Sequence, residues 1–167
     1  PDSGTVKWGS HIVRGYFPKD HGDYFRGEEL DLVDWLRQFS EDQSESFVRT
    51  FLGRMLFTGD ESRKQAKVLS GGEKVRCMLS KLMLENPQAM LLDGPTNHLD
   101  LESITALNNS LIKYPGNLIF ASHDVEFIQT LADRVIELTP KGEVIDRPIA
   151  FEDYLAERAE ALGLSAA

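Results

Sequence analysis

A pair of glycines beside polar side chains is the first feature of this sequence that could perform chemistry. Leu69-Ser70-Gly71-Gly72-Glu73 precedes a run whose apolar residues recur at helical spacing. Ser70 and Glu73 have the spacing of a capping box, and taken alone the stretch favours that interpretation. Alternatively, Gly71 and Gly72 expose backbone N–H groups at the positive end of a helix. There Ser70 adds a hydroxyl, and the turn could seat a phosphate group.

Polar residues further along the chain stand where strands are predicted to end. Met90 to Asp93 is an apolar run that brings a carboxylate to the carboxyl end of a strand. Ligands bind at that end in open α/β sheets, and an acid there can hold Mg²⁺ through water. Asp93 and Asp100 also suit a simple capping role before a turn or helix. His123 follows the next strand and could donate to a phosphate oxygen or cap the nearby helix.

The hydrophobic pattern predicts the elements that must position these residues. Thr5 to Trp8 and Ile12 to Phe17 predict an N-terminal hairpin, and Thr58 to Lys67 predicts a polar loop. Helices are predicted around Leu32 to Phe39, Phe47 to Leu56, Val75 to Met83, Leu101 to Lys113, Val125 to Ala132 and Phe151 to Leu162. Further strands are predicted at Ala89 to Asp93, Leu118 to Ser122, Val135 to Leu138 and Val144 to Ile145. Strands alternating with helices predict a parallel sheet flanked by helices.

The bulk properties limit the classes of function. The chain has 167 residues, 41% of them hydrophobic, which predicts one folded domain. The apolar runs are far shorter than a bilayer span and no leader is recognised, so we expect a soluble, cytoplasmic protein. A formal charge of −9 argues against a surface that neutralises phosphate backbones. The single cysteine, Cys77, excludes an internal disulfide, and its expected role is helix packing.

The order of the motifs resembles the ATP-binding cassette family. LSGGE at 69–73 is similar to the family's signature sequence, MLLD at 90–93 to its Walker B strand, HLD at 98–100 to its D-loop and SHD at 122–124 to its switch histidine. LLDGPTNHLD is most similar to the ABC-F branch, in which the stretch commonly reads LLDEPTNHLD. Members of that branch carry two cassettes on one chain, have no membrane domains and commonly act at the ribosome. The similarity extends from PDSGTVKWG to PIAFEDYL.

The resemblance implies a fold and a domain organisation. The fold would be α/β, with a P-loop-type cassette core, a mostly parallel sheet flanked by helices and antiparallel strands at the N-terminus. A partial ATP-binding cassette would span 1–167, with a helical signature subdomain inserted at 27–87 and a C-terminal helix at 150–167. No Gly-x-x-x-x-Gly-Lys-Ser/Thr occurs, so the phosphate loop is expected to lie outside this part of a second cassette. The chain alone is expected to be inactive and could self-associate.

The resemblance also assigns roles to residues. Four residues would bind, in trans, the ATP that a second cassette of the same parent chain holds: Ser70, Gly71, Gly72 and Glu73. Asp93 would hold Mg²⁺ through water, and His123 would sense the γ-phosphate. The D-loop would link the two ATP sites at the interface between the cassettes: His98, Leu99 and Asp100.

Two positions depart from the family's pattern. Gly94 stands where the family has a glutamate that polarises the attacking water, so this half-site should be slow or inactive. Alternatively, Gly94 forms a turn beside Pro95. Lys19 stands where the family has a metal-contacting glutamine, and it could pair with a phosphate or be a solvated loop residue.

Three functions stay open from the sequence. The first is part of an ABC-F type ATPase that hydrolyses Mg-ATP, with ribosome association through regions outside this chain. The second is the nucleotide-binding subunit of an ABC membrane transporter, which the Asn97-His98 pair disfavours. The third is a degenerate clamp that closes on ATP without hydrolysing it, which Gly94 and Lys19 favour.

Overall fold

The computed structural model describes residues 3–18, 20, 22–161 and 163, in two compact units, Pro1–Ala121 and Ser122–Ala167. The helices are α1 (Leu32–Arg37), α2 (Glu45–Arg54), α3 (Gly71–Glu85), α4 (Leu101–Leu111), α5 (Val125–Leu131) and α6 (Phe151–Ala161). The strands are β1 (Arg14–Phe17), β2 (Ala89–Asp93), β3 (Asn117–Ala121), β4 (Val135–Leu138) and β5 (Val144–Arg147). Within the described residues, no helix is both long and apolar enough to cross a bilayer.

The first unit contains a parallel sheet of three strands in the order β1-β2-β3. In its register Leu91 lies between Tyr16 and Ile119, whose side chains are exposed. The strand predicted at Ala89 to Asp93 is confirmed with the same bounds. Because β2 pairs on both sides, it is the central strand of this sheet. Among the described strands of this sheet, β1 and β3 are the ones that pair on one side only.

The predicted N-terminal hairpin, and with it the antiparallel pair at this end, is wrong. Residues 5–8 form no strand, and β1 instead pairs in parallel with β2. Strand preference reflects how well side chains pack on a half-buried surface. Val6 is 72% exposed and therefore gains no such packing. The chain turns at Gly9, whose carbonyl accepts a hydrogen bond from the N–H of Ile12 at 3.2 Å.

Helices α1, α2 and α3 pack together and form the apolar core of the first unit. Each large side chain buried there stabilises the fold by about 1.5–3 kcal/mol. The fully buried side chains of this unit include Phe25, Leu32, Trp35, Leu36, Leu52, Met55, Met78, Leu79, Leu82 and Met90. Phe25 stacks on Trp35 with ring centroids 4.9 Å apart. Cys77 is buried in α3, which agrees with its expected packing role, and this burial raises the pKa of its thiol.

The polar segment from 58 to 67 is ordered rather than free. It contains a 3₁₀ turn at Gly59–Arg63, and a second 3₁₀ turn, Ala66–Val68, begins at its end. Backbone bonds tie it to the start of α1, because the N–H of Leu32 donates to the Lys64 carbonyl at 3.0 Å. The segment therefore places Lys64 beside the start of α3, where its ammonium contacts Glu73 at 2.7 Å.

The second unit contains α5, α6 and an antiparallel pair, β4-β5. The guanidinium of Arg134 donates two hydrogen bonds, of 2.8 and 2.6 Å, to the carboxylate of Asp146. Glu137 on β4 accepts hydrogen bonds from Tyr154 at 2.5 Å and Arg158 at 3.0 Å, both on α6. These contacts attach the C-terminal helix, predicted from its amphipathic pattern, to the hairpin.

Candidate functional site

The turn that begins α3 is a complete capping box. The Ser70 hydroxyl accepts from the Glu73 N–H at 3.3 Å, and the Glu73 carboxylate accepts from the Ser70 N–H at 2.8 Å. Partial burial opposes ionisation of Glu73. Hydrogen bonds from Lys64 and Ser70 outweigh it and lower the pKa of this carboxyl to about 2. The capping interpretation is thus confirmed, and it fixes the hydroxyl and N–H groups that a phosphate would meet.

The two glycines of this turn have different surroundings. A Cβ atom added at Gly71 would meet no heavy atom within 4 Å, whereas one added at Gly72 would lie 2.8 Å from the His98 carbonyl oxygen. Gly71 is exposed and Gly72 is half-buried. The open side of the turn therefore lies at Gly71, and the other side abuts the loop that follows β2.

Strand β2 ends at Asp93, whose side chain is exposed at the carboxyl end of the sheet. A shallow cavity of about 260 Å³ lies beside it and is lined by strand residues that include Tyr16, Leu91 and Ile119. The lining is largely apolar, and Asp93 provides its one carboxylate. One carboxylate beside an open surface suits a cation that keeps most of its water ligands.

The residue after Asp93 adopts a left-handed backbone conformation. Gly94 has φ +61°, its N–H donates to the Ala121 carbonyl at 2.9 Å, and its carbonyl accepts from the Asn97 N–H at 3.1 Å. A Cβ at this position would lie 2.5 Å from Nδ2 of Asn97. Gly94 is therefore a turn residue, as one alternative from the sequence states. The other alternative, a slow half-site, stays a prediction that rests on the missing carboxylate at position 94.

The D-loop, His98 to Asp100, joins this turn to α4. The Asp100 carboxylate accepts from the Ser103 N–H at 2.8 Å and caps the helix. Hydrogen bonds from the hydroxyl and the N–H of Ser103 lower the pKa of Asp100. His98 has φ +65°, which is uncommon for a residue with a side chain. Asp100 thus has a capping role within its own chain, and its role toward a second cassette stays a prediction.

The second unit contains His123, the residue predicted to sense the γ-phosphate. His123 is exposed and does not cap α5. That cap is Asp124, whose carboxylate accepts from the Phe127 N–H at 2.8 Å. The capping alternative for His123 is therefore wrong. Lys19, the residue in place of the family's glutamine, lies outside the described residues.

Sequence reasoning missed two cations that hold the turn in place. Lys64 pairs with Glu73, and Arg76 donates to the Met55 carbonyl at 3.0 Å while its guanidinium lies 4.5 Å from the Phe57 ring centroid. No local spacing signals these pairs, because the partners stand 9 to 21 residues apart. An arginine within the apolar pattern of α3 was the one available signal.

Comparisons with known proteins find relatives that are named as ATP-binding proteins. A family model described as ABC transporter matches residues 1–97. The "Uncharacterized ABC transporter ATP-binding protein YkpA" of Bacillus subtilis (strain 168) is 61% identical over 92% of this chain and 28% of its own length. The "Probable ATP-binding protein YbiT" of Escherichia coli O157:H7 is 48% identical over 95% of this chain and 30% of its own length. The chain spans less than a third of either relative.

Solved structures show the same fold. An archaeal ribosome recycling factor, aABCE1, in a crystal structure with the archaeal ribosomal stalk protein aP1, has a TM-score of 0.74. It is 22% identical over 98% of this chain and 32% of its own. At this identity the likeness concerns the fold alone. The α/β class with a parallel sheet and flanking helices is confirmed.

Proposed function

Because the chain belongs to the ABC transporter family of ATP-binding domains, we propose that it is part of a Mg-ATP-binding and ATP-hydrolysing cassette of the ABC-F type. Relatives named as ATP-binding proteins align with more than nine-tenths of it and support this proposal. Residues 27–87 would form the helical signature subdomain of the cassette, and 150–167 its C-terminal helix. A second cassette on the same parent chain would be its working partner.

The observation that carries the proposal is the start of α3. The Ser70 hydroxyl and the N–H groups of Gly71 and Gly72 stand at the positive end of a helix of 15 residues, and Glu73 and Lys64 hold the turn. Gly71 is open to its surroundings, which leaves room for a phosphate presented by another domain. We assign these groups to the γ-phosphate of ATP held by the opposite cassette.

Asp93 fits a role toward Mg²⁺. The ion is usually bound through one or two carboxylates together with water and phosphate oxygens. Among the described residues no group of three or more His, Cys, Asp or Glu side chains could hold a metal. A bound Mg²⁺ would thus take the Asp93 carboxylate through water and its other ligands from phosphate and solvent. When bound, it neutralises charge that develops on the phosphate oxygens.

Hydrolysis at this half-site is proposed to be slow. A side-chain general base typically contributes ~10²- to 10⁴-fold in rate, and Gly94 has no side chain. The residue also adopts a left-handed turn with Asn97 beside it. His123 would still contact the γ-phosphate, and the D-loop would still connect the two ATP sites.

A second candidate is a clamp that closes on ATP at this site without hydrolysing it. The left-handed backbone at Gly94 favours this candidate, because it suits a turn better than a catalytic side chain. Closure would use Ser70 and Gly71 of the signature turn together with Asp93, and all three residues are exposed. Binding energy alone can then move the two cassettes.

Ribosome association is proposed for the parent, through regions outside this chain. The fold neighbour aABCE1 is named as a ribosome recycling factor, which supports a search for such a partner. Co-sedimentation of the parent with ribosomes, with and without ATP, tests this part. A parent that never co-sediments in either state contradicts it.

Turnover by the parent tests the enzymatic part. Each cassette is disabled in turn by replacing the lysine of its phosphate loop, and single-turnover ATP hydrolysis is then measured. We expect the site that includes Gly94 to hydrolyse ATP at least about tenfold more slowly than the other. Equal rates would reject the slow half-site. No hydrolysis at this site, together with ATP-dependent closure, would favour the clamp.

A further inference from the structure

We propose that Gly72 is a positioning residue that joins the D-loop to the signature turn, so that the start of α3 and the D-loop move as one piece. The contact itself is a feature of this chain. Its use in signalling between ATP sites rests on the proposed function. The N–H groups of both glycines are assigned to the phosphate of the opposite cassette. Gly72, by lacking a side chain, also keeps space for a neighbour within its own chain.

The close approach at Gly72 involves main chain on the facing side. A Cβ atom there would lie 2.8 Å from the His98 carbonyl oxygen, which is closer than side chains tolerate. A carbonyl cannot rotate away as a flexible side chain can, so the backbone would have to shift. At Gly71, one residue earlier, the same methyl group meets open space. The requirement for glycine at position 72 therefore comes from the D-loop.

The D-loop side of this contact is held at both ends. The Leu99 N–H donates to the Thr96 carbonyl at 3.2 Å, and Asp100 caps α4 through Ser103. His98 between them keeps φ +65°, an uncommon conformation that the surrounding bonds must maintain. A displacement of the His98 carbonyl therefore moves the cap of α4 with it.

The signature side is equally fixed. The capping box and the Lys64 pair hold the first turn of α3, and one turn later Arg76 donates to the carbonyl of Met55 at the end of α2. The hydrogen bonds from Ser103 lower the pKa of Asp100 the most, and the positive charge of Arg76 lowers it further. Both sides are thus stiff, and a shift at Ser70 reaches the D-loop through the contact at Gly72.

The consequence is a coupling between two surfaces that both face a second cassette. Phosphate contact at Ser70 and Gly71 would displace the start of α3, and the D-loop would follow. The D-loop would then report on the ATP of the opposite cassette. An element that both sites bias is the physical requirement for coupling.

Amide hydrogen exchange in the full-length parent tests the contact without nucleotide. Gly72→Ala should increase exchange in peptides covering 98–103 about tenfold, because the added methyl pushes the loop away. Gly71→Ala is the matched control. Gly53→Ala in α2 is a second control, since a Cβ there also meets no atom within 4 Å. Both controls should leave 98–103 unchanged. Equal exchange of 98–103 in the wild type and Gly72→Ala would overturn the contact.

The coupling is tested with Mg²⁺ and a non-hydrolysable ATP analogue. In the wild type, protection of residues 70–74 and of residues 98–103 against amide exchange should rise as the analogue is added. Both segments should reach half of their full protection at the same analogue concentration. This measurement does not depend on a variant that folds. In Gly72→Ala, protection of 70–74 should persist while protection of 98–103 is lost, which a purely structural defect would not separate. Different midpoints in the wild type, or protection of 98–103 retained in Gly72→Ala, would overturn the coupling.

Failure of the proposed function gives a different result. If the analogue protects neither segment even in the wild type, the ATP role of this chain is rejected. The nucleotide-free exchange rates then decide the Gly72 contact by themselves.

Discussion

The signature turn and the turn after β2 each contain glycine, but they are held in different ways. The first turn is held by side chains, because Ser70 and Glu73 bond each other and Lys64 pairs with Glu73. The second turn is held by backbone, through the left-handed Gly94 and its bond to the Ala121 carbonyl. The signature turn thus presents fixed polar side chains. The turn after β2 has a fixed backbone conformation, but Gly94 has no functional side chain.

This difference suggests separate roles for the two turns in the proposed site, one in contacting phosphate and the other in binding the metal. In the proposed function, the signature turn contacts a phosphate from outside the chain through the Ser70 hydroxyl and backbone N–H groups. Asp93 at the end of β2 is the proposed residue for the metal, and Gly94 has no side chain that could activate water. We therefore expect the surface for a partner cassette to be retained and hydrolysis at the chain's own half-site to be slow.

The largest predicted effect separates capping from phosphate contact at Ser70. Aspartate caps helices as well as serine does, so Ser70→Asp should change the free energy of unfolding of the chain by less than about 0.5 kcal/mol. In the parent it places a negative charge against the opposite γ-phosphate, and hydrolysis there should fall about 100-fold or more. Denaturant unfolding and single-turnover rates measure the two effects. If Ser70→Asp folds normally and hydrolyses ATP at the wild-type rate, Ser70 does not contact the phosphate.

The next effect concerns Gly94→Glu in the parent, with the other cassette disabled. Single-turnover hydrolysis at this site should rise, with little change in ATP affinity, because the carboxylate acts mainly in the transition state. The gain should be below the ~10² expected of a general base, since the left-handed backbone and Asn97 oppose the new side chain. The double variants that combine Gly94→Glu with Asn97→Ala or with Lys19→Gln should each hydrolyse ATP faster than Gly94→Glu alone.

Gly94→Gln is the matched control, because it has nearly the same size and strain but cannot accept a proton. It should give no gain. If Gln and Glu at this position give equal rates, or if no variant exceeds the parent, then position 94 is only a turn.

A smaller effect tests the ion pair in the signature turn. The folded state lowers the pKa of Glu73 from 4.5 to about 2, so this group stabilises the fold above the higher value. That stability is lost as the pH falls from about 4.5 to about 2. It amounts to about 2 kcal/mol after allowance for solvent around Lys64.

Glu73→Gln keeps the hydrogen bond of the capping box and removes the charge. Between the two pH values the variant should therefore lose about 2 kcal/mol less stability than the wild type. Denaturant unfolding of both proteins across this range measures the difference. Parallel pH profiles would show that the Lys64 pair contributes nothing.

The smallest effect is expected at Asp100. Asparagine is an equally good helix cap, so Asp100→Asn should change the free energy of unfolding by only a few tenths of a kcal/mol, whereas Asp100→Ala should cost about 1 kcal/mol. Denaturant unfolding compares the two variants. A loss with asparagine as large as with alanine would show that the charge, rather than the cap, holds the D-loop.

Local pattern determined much of the fold. The apolar run before Asp93 predicted the bounds of β2, and Ser70 with Glu73 predicted the start of α3. The start of α3 depends on bonds between residues three positions apart. The alternation of strand and helix predicted the parallel sheet. The hairpin at Thr5 to Trp8 failed because strand preference there had no surface to pack on.

The sequence by itself determined the order of the motifs, the capped start of α3, the acid at the end of β2 and the missing carboxylate at position 94. These features depend on residue type and on bonds between near neighbours. The tertiary structure alone decided that Lys64 holds Glu73, that Gly94 is left-handed with Asn97 beside it, and that Gly72 faces the His98 carbonyl. Such contacts join residues that are distant in the chain or depend on backbone angles, and spacing carries no information about either.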